Sequence, residues 1–197
     1  MKDQEIDFGY YAECVFRWAK SPSSTLMDLT PAKIYLLHMS SAMLHECVEF
    51  IEAVEANDKV NMREELGDIY FYATAILNYF SNGRELAEFS DPESVEQAFM
   101  EFDYTKSNLI LLSCCGDIFD LFKKYSIYNK EINYTKTREK LGILFEVVLP
   151  NILKYYFGPS ASMDDIRLEN YEKLRKRFGD KYSDEGAQAR ADKEQQG

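Results

Sequence analysis

The chain has 197 residues, 46% of them apolar, enough for one compact domain or two small ones with a sizeable core. Its formal net charge is −11, with acidic residues along the whole length. That disfavours duplex nucleic acid and anionic membrane surfaces, which select a basic face, but not a nucleotide whose phosphates are bridged by metal.

The cysteines are Cys14, Cys47, Cys114 and Cys115. They form no C-x-x-C pair and two are adjacent, which suits neither zinc nor a disulfide framework, so a reduced, cytoplasmic setting is expected. Met1–Tyr10 is polar and acidic, so no signal peptide is expected there. No run approaches the ~18 apolar residues of a membrane span.

In chain order, Gly9–Lys20 has helical spacing at Tyr11, Val15 and Trp18, and Ser21-Pro22-Ser23-Ser24 predicts a stop. Thr30-Pro31 reads as an N-cap followed by proline at the first helical position. The helix that follows should run to about Ala56, with Met43, Leu44, Cys47, Val48, Ile51 and Val54 as its apolar stripe. After the polar turn Ala56-Asn57-Asp58-Lys59, a second helix is predicted from about Val60 to Phe80. Its apolar face is Leu66, Ile69, Tyr70, Ala73, Ile76, Leu77 and Phe80, and Ser81-Asn82-Gly83 should cap it. Residues 84–105 read as a connector with a short helix at Pro92–Phe102. Asn108–Tyr125 and Lys136–Phe157 form a second helical pair, turned at Tyr128-Asn129-Lys130, with Pro150 expected to kink or shorten its second member. Ser162 should cap a last helix at about Met163–Phe178, and Ser183–Gly197 reads as a mobile polar tail.

The first pair carries the chemistry. Glu46 and Glu49 form an E-x-x-E pair, and Glu65 and Asp68 form an E-x-x-D pair. Residues three apart share a helix face, so folding the two helices back to back sets two carboxylate pairs opposite each other. Four carboxylates with no obvious basic partner repel one another. Hard divalent cations can neutralise such a cluster, and oxygen-only ligation suits Mg²⁺ or Mn²⁺. A lone E-x-x-E is commonplace on solvated helices; two pairs on facing helices are much less so. No Glu-x-x-His pair is present for a di-iron bundle, and no Gly-rich phosphate loop is present.

A repeat links the two pairs. Arg63-Glu64-Glu65-Leu66-Gly67-Asp68 aligns with Arg138-Glu139-Lys140-Leu141-Gly142-Ile143. Glu46-Cys47-Val48-Glu49 aligns with Cys114-Cys115-Gly116-Asp117. Three of the four carboxylate positions are lost in the second copy. The expectation is an all-α, pseudo-twofold bundle with one metal site. One domain would span 1–182: metal-binding hairpin 31–82, degenerate hairpin 106–157, closing helix 163–178, then a polar tail at 183–197.

At E-x-x-E, Glu64-Glu65-Leu66-Gly67-Asp68-Ile69, the second-hairpin segments GDIFDLFKK and REKLG, and the C-terminal Asn170, Lys173, Leu174, Arg177 and Phe178, the chain resembles the MazG-like all-α nucleoside triphosphate pyrophosphohydrolases. That superfamily also holds the dimeric dUTPases and dCTP pyrophosphatases. The resemblance implies Mg²⁺-dependent hydrolysis of a (d)NTP to (d)NMP and pyrophosphate. It implies Glu46, Glu49, Glu65 and Asp68 as metal ligands, and attack of a metal-activated water on the α-phosphorus. Glu49, or otherwise Glu46, would act as base. Lys173, with Asn170 and Tyr171 beside it, is the leading phosphate contact, followed by Arg177 ahead of Arg175. Lys124, with Lys123 and Lys130, could reach across from the second hairpin. Trp18 could stack on the base or serve packing. His38, His45 and Cys47 are expected to be structural. Members of the family are usually dimers; here the repeat permits a monomer and the many aromatics permit a homodimer. The alternative function is a catalytically silent nucleotide-binding or helical interaction module of the same fold. A third reading is a bundle that binds metal only for stability.

Overall fold

The computed structural model describes residues 7–81, 91–179 and 181–189, and every regular element among them is helical. In chain order the helices are α1 (Phe8–Trp18), α2 (Pro22–Asp28), α3 (Pro31–Glu55), α4 (Lys59–Ser81) and α5 (Pro92–Met100). A 3₁₀ turn at Tyr104–Lys106 leads into α6 (Ser107–Tyr128), followed by α7 (Tyr134–Ile143). A π-helical segment at Leu144–Val148 continues into α8 (Leu149–Phe157), and α9 (Met163–Phe178) and α10 (Asp184–Ala189) close the described chain.

Helix α3 is the spine. The Thr30 side chain accepts the Lys33 N–H at its start, with Pro31 at the first turn, as the sequence predicts. Asn57, at φ 52°, ends α3 in a left-handed turn that asparagine tolerates. Asp58 then accepts the N–H groups of Val60 and Asn61, both at 3.1 Å, which starts α4 running back along α3. Leu36, Met43, Cys47 and Phe50 of α3 are fully buried. Their alternating spacing of three, four and seven residues keeps them on one side of the helix. They share a core with Leu66, Ile69, Ala73 and Ile76 of α4, and with Leu111, Cys115, Ile118 and Phe122 of α6. Each large side chain buried this way contributes roughly 1.5–3 kcal/mol. Because α3 spends this face on the core, Glu46 and Glu49 are left at its border with α4.

Pro150 does not end the second helix of the second pair. The helix widens instead to a π turn over Leu144–Val148, and the Leu149 N–H donates to the Leu144 carbonyl. Proline lacks an N–H and its ring crowds the carbonyl four residues back; a register change just before it relieves both.

Two expectations are corrected. Ser21-Pro22 does not simply stop a helix. Ser21 accepts the Ser24 N–H and Pro22 takes the first position of α2, the same cap-plus-proline device as at Thr30-Pro31. The tail predicted as mobile from Ser183 holds α10 over Asp184–Ala189; residues 190–197 lie outside the described residues. The expected C-cap at Asn82-Gly83 and the connector residues up to 90 also lie outside them.

Helix α9 is polar and buries only Ile166. It starts where the sequence predicts, with Ser162 accepting the Asp164 N–H. What fastens it to α4 is charge and polar complementarity. Arg63 donates to both Glu169 oxygens at 2.6–3.2 Å, and Arg167 donates to the Tyr70 hydroxyl at 3.1 Å. Gly67 admits the approach: a Cβ there would stand 3.0 Å from Asn170 Cβ.

Candidate functional site

Helices α3 and α4 bring three of the four predicted carboxylates together. Glu46, Glu49 and Glu65 each offer a carboxylate oxygen, and these oxygens lie within 4.8 Å of one another. Glu65 is buried and Glu46 half-buried. Burial pushes the Glu46 carboxyl up to about 8, reinforced by the Asp68 charge and by hydrogen bonding with Glu49 and Glu65. Burial likewise lifts Glu65 to about 7, against the opposing effect of its hydrogen bond with Glu46. Glu46 and Glu65 hold their charge only at an energetic cost, which a cation would remove. The donor set is oxygen only and comes from two helices fixed by a common core, so it fits a hard divalent ion such as Mg²⁺ or Mn²⁺.

Asp68 stands apart from the trio. Lys173 Nζ donates to its two oxygens at 2.6 and 2.5 Å, and Asn170 Nδ2 donates to it at 2.6 Å. Lys173 also lies 3.4 Å from Glu64, and its side chain is only 13% exposed. The expectation that the acidic cluster has no basic partner is therefore wrong for Asp68. Its partner arrives from α9, a hundred residues along the chain, where local sequence gives no warning. Lys173 and Asn170 do meet the site, but through a carboxylate.

The carboxylates open onto a cleft of about 710 Å³, within the roughly 300–1,000 Å³ of small-ligand sites. Glu46, Glu49, Glu52, Asp58, Glu64, Glu65 and Asp68 make one side strongly acidic, and His38, Met39, Phe71 and Tyr72 also line it. Arg177, Phe178 and Tyr182 enter it from the C-terminal side. Burial, with the Glu46 and Asp68 charges behind it, raises the Tyr72 phenol, while the Arg177 charge pulls the other way. Tyr72 thus feels both the carboxylates and the arginine.

The other predicted contacts do not reach the cleft. Trp18 on α1 is 76% exposed and lines no part of it. Tyr171 points outward on α9 at 59% exposure. Lys124, like Lys123, pairs with Asp120 on its own helix α6, because a partner one turn away is always in reach. Conversely, His38, His45, Glu52 and Phe71 line the cleft unpredicted. The spacing of His38, His45, Glu49 and Glu52 at seven, four and three was the available signal. His45 Nε2 lies 3.5 Å from Glu49.

Cys47 lies in the core, as expected. Hydrogen bonding with Cys47 and then burial hold the Cys115 thiol well above its ordinary range, and burial raises Cys114 to about 12. Thiols so buried are unreactive.

Residues 36–99, from within α3 to within α5, match the family model described as the MazG nucleotide pyrophosphohydrolase domain. The MazG-like resemblance is borne out over that segment, which holds both acidic pairs, and the all-helical fold agrees with it. No curated protein and no solved structure matches the chain. No helix among the described residues is long and apolar enough to cross a membrane.

Proposed function

We propose that this chain is a Mg²⁺-dependent nucleoside triphosphate pyrophosphohydrolase, converting a (d)NTP to (d)NMP and pyrophosphate. The observation that carries the reading is the convergence of Glu46, Glu49 and Glu65 from facing helices at the floor of an open acidic cleft. These three would hold the ion, with Asp68 completing the set from the edge; a carboxylate has lone pairs enough to accept from Lys173 and Asn170 and still ligate. A bound divalent ion would neutralise phosphate oxygens and acidify a water.

Glu49 is the better exposed first-helix glutamate, 44% open on the cleft, and takes the proton of the attacking water. The water oxygen bonds to the α-phosphorus as the bond to the bridging oxygen breaks, and pyrophosphate leaves with that electron pair. Glu46, whose proton affinity is raised by burial, would give up its proton on ligating a divalent ion. Arg177 sits in the cleft as a fork for phosphate oxygens. Lys173 brings a fixed positive charge to the α4 side through Asp68. The functional unit in this reading is residues 1–182 together with α10, not 1–182 alone.

The test is pyrophosphate release from a panel of nucleoside triphosphates with Mg²⁺. Glu49→Gln and Asp68→Asn are expected to abolish turnover while leaving the helical circular-dichroism spectrum intact. Full activity in both variants would overturn the site assignment. Nucleotide binding without any turnover by the wild-type protein would make it a silent module instead.

A further inference from the structure

We infer that Phe178 and Tyr182 form the wall that holds the nucleobase, and that the C-terminal turn exists to hold that wall in place. The inference rests on the pyrophosphohydrolase reading and assigns the other end of the same cleft. The α3–α4 side of the cleft presents carboxylates. Those can meet phosphate only across a cation, so they fix where the triphosphate lies. The C-terminal side presents two aromatic rings, their centroids 5.1 Å apart and inclined at 43°. Tyr182 is 64% exposed, yet its ring is tethered, because its hydroxyl donates to Asp184 at 3.0 Å. An open aromatic face pinned at its rim is a stacking surface, not core packing.

The backbone is built to present this surface. Gly179 ends α9 at φ 65°, ψ −126°, a conformation essentially reserved for glycine. It reverses the chain, so that α10 packs back against the end of α9. Gly186 makes the contact: a Cβ there would come 2.7 Å from the Arg177 carbonyl and 3.3 Å from the Phe178 ring. Its N–H is held by Ser183 Oγ at 3.0 Å. Two glycines thus fix the segment that carries Arg177, Phe178 and Tyr182 into the cleft. Stacking reads the π-face that every base has, so the wall serves purine and pyrimidine alike.

The experiment compares two ligands on the full chain with Mg²⁺, by calorimetry. One is an α,β-imido nucleoside triphosphate, tested with a purine and with a pyrimidine; the other is inorganic tripolyphosphate, which has no base. In Phe178→Leu and Tyr182→Leu, which keep apolar bulk and lose the ring, affinity for both nucleotides should fall about 5- to 100-fold. Tripolyphosphate affinity should stay within about twofold. Gly186→Val, which displaces Arg177 along with the rings, should weaken both ligands, the nucleotides more than tripolyphosphate. Unchanged nucleotide affinity, or equal losses for nucleotide and tripolyphosphate, would overturn the inference and leave the pyrophosphohydrolase reading standing. A wild-type protein that binds neither ligand would overturn both.

Discussion

Helices α3 and α4 meet at Glu46, Glu49 and Glu65; helices α6 and α7 meet at the aligned positions Cys114, Asp117 and Lys140. In the first pair like charges are crowded together and partly buried, and two of the carboxyls have raised proton affinity. In the second pair Lys140 Nζ lies 2.9 Å from Asp117, and the Cys114 thiol donates to the Lys140 carbonyl at 3.7 Å. At the sequence-aligned positions the second contact is neutralised from within and the first is left unneutralised. The cost of the first arrangement is what marks it as a site: a protein has no folding reason to gather three carboxylates where a lysine would serve. The second pair also carries the π turn before Pro150, whereas α4 is one uninterrupted α-helix through Glu65 and Asp68.

That contrast can be broken most sharply by activity. Glu49→Gln should lower pyrophosphate release by roughly 10²–10⁴-fold, the usual contribution of a general base. Asp117→Asn, at the aligned position, should leave the rate within about twofold, as expected of an exposed residue outside the site. Comparable losses in both would mean that the second pair takes part in chemistry.

The lysines give the next largest difference. Lys173→Met leaves Asp68 and Glu64 beside the trio with no nearby ammonium, at a cost of about 2 kcal/mol or more. In a protein of this size that lowers Tm by roughly 4–8 °C, and millimolar Mg²⁺ should recover part of the loss. Lys140→Met removes a pair whose aspartate is half exposed, so the cost should be under about 1 kcal/mol. Thermal melts with and without Mg²⁺ decide between them. Gly67→Val should sit between these two, at about 1–3 kcal/mol, by forcing Asn170 and α9 away from α4.

The contrast can be sharpened last through pH dependence. The Glu46 and Glu65 carboxyls are raised in the folded state, to about 8 and about 7. Their contribution to stability is fully present below the ordinary carboxylate pKa and is lost as pH rises through these folded values. The metal-free protein should therefore lose Tm between about pH 5 and pH 8.5, and Glu46→Gln should shrink that loss. Mg²⁺ should flatten the wild-type profile, and an Asp117→Asn variant should keep the wild-type slope. An identical slope in Glu46→Gln would show that the cluster does not cause it.

Much of this was legible in the residues. Thr30-Pro31 and Ser162 announced their helices because caps are local, and Glu46, Glu49 and Glu65 announced themselves because helical spacing carries over to geometry. Asp68 was half legible: its face was right, but its lysine comes from α9. Trp18, read as a base stacker or a packing residue, and Lys124, read as able to reach across from the second hairpin, both lie off the cleft. One sits on an outer helix, and the other is held by an aspartate on its own helix. Tyr182 could not be found from its neighbours. Its position depends on the reversal at Gly179 and the contact at Gly186, and a polar stretch with scattered glycine reads as tail.

Helix α9 grips the bundle through Arg63–Glu169, Arg167–Tyr70 and Lys173–Asp68, with Ile166 its sole buried side chain. The bundle proper is held by apolar packing, which added sodium chloride scarcely weakens, whereas partly exposed ion pairs fade as the screening length shrinks. Ionic strength should therefore act on this molecule in two stages, loosening the strap that frames the cleft well before it unsettles the helices beneath.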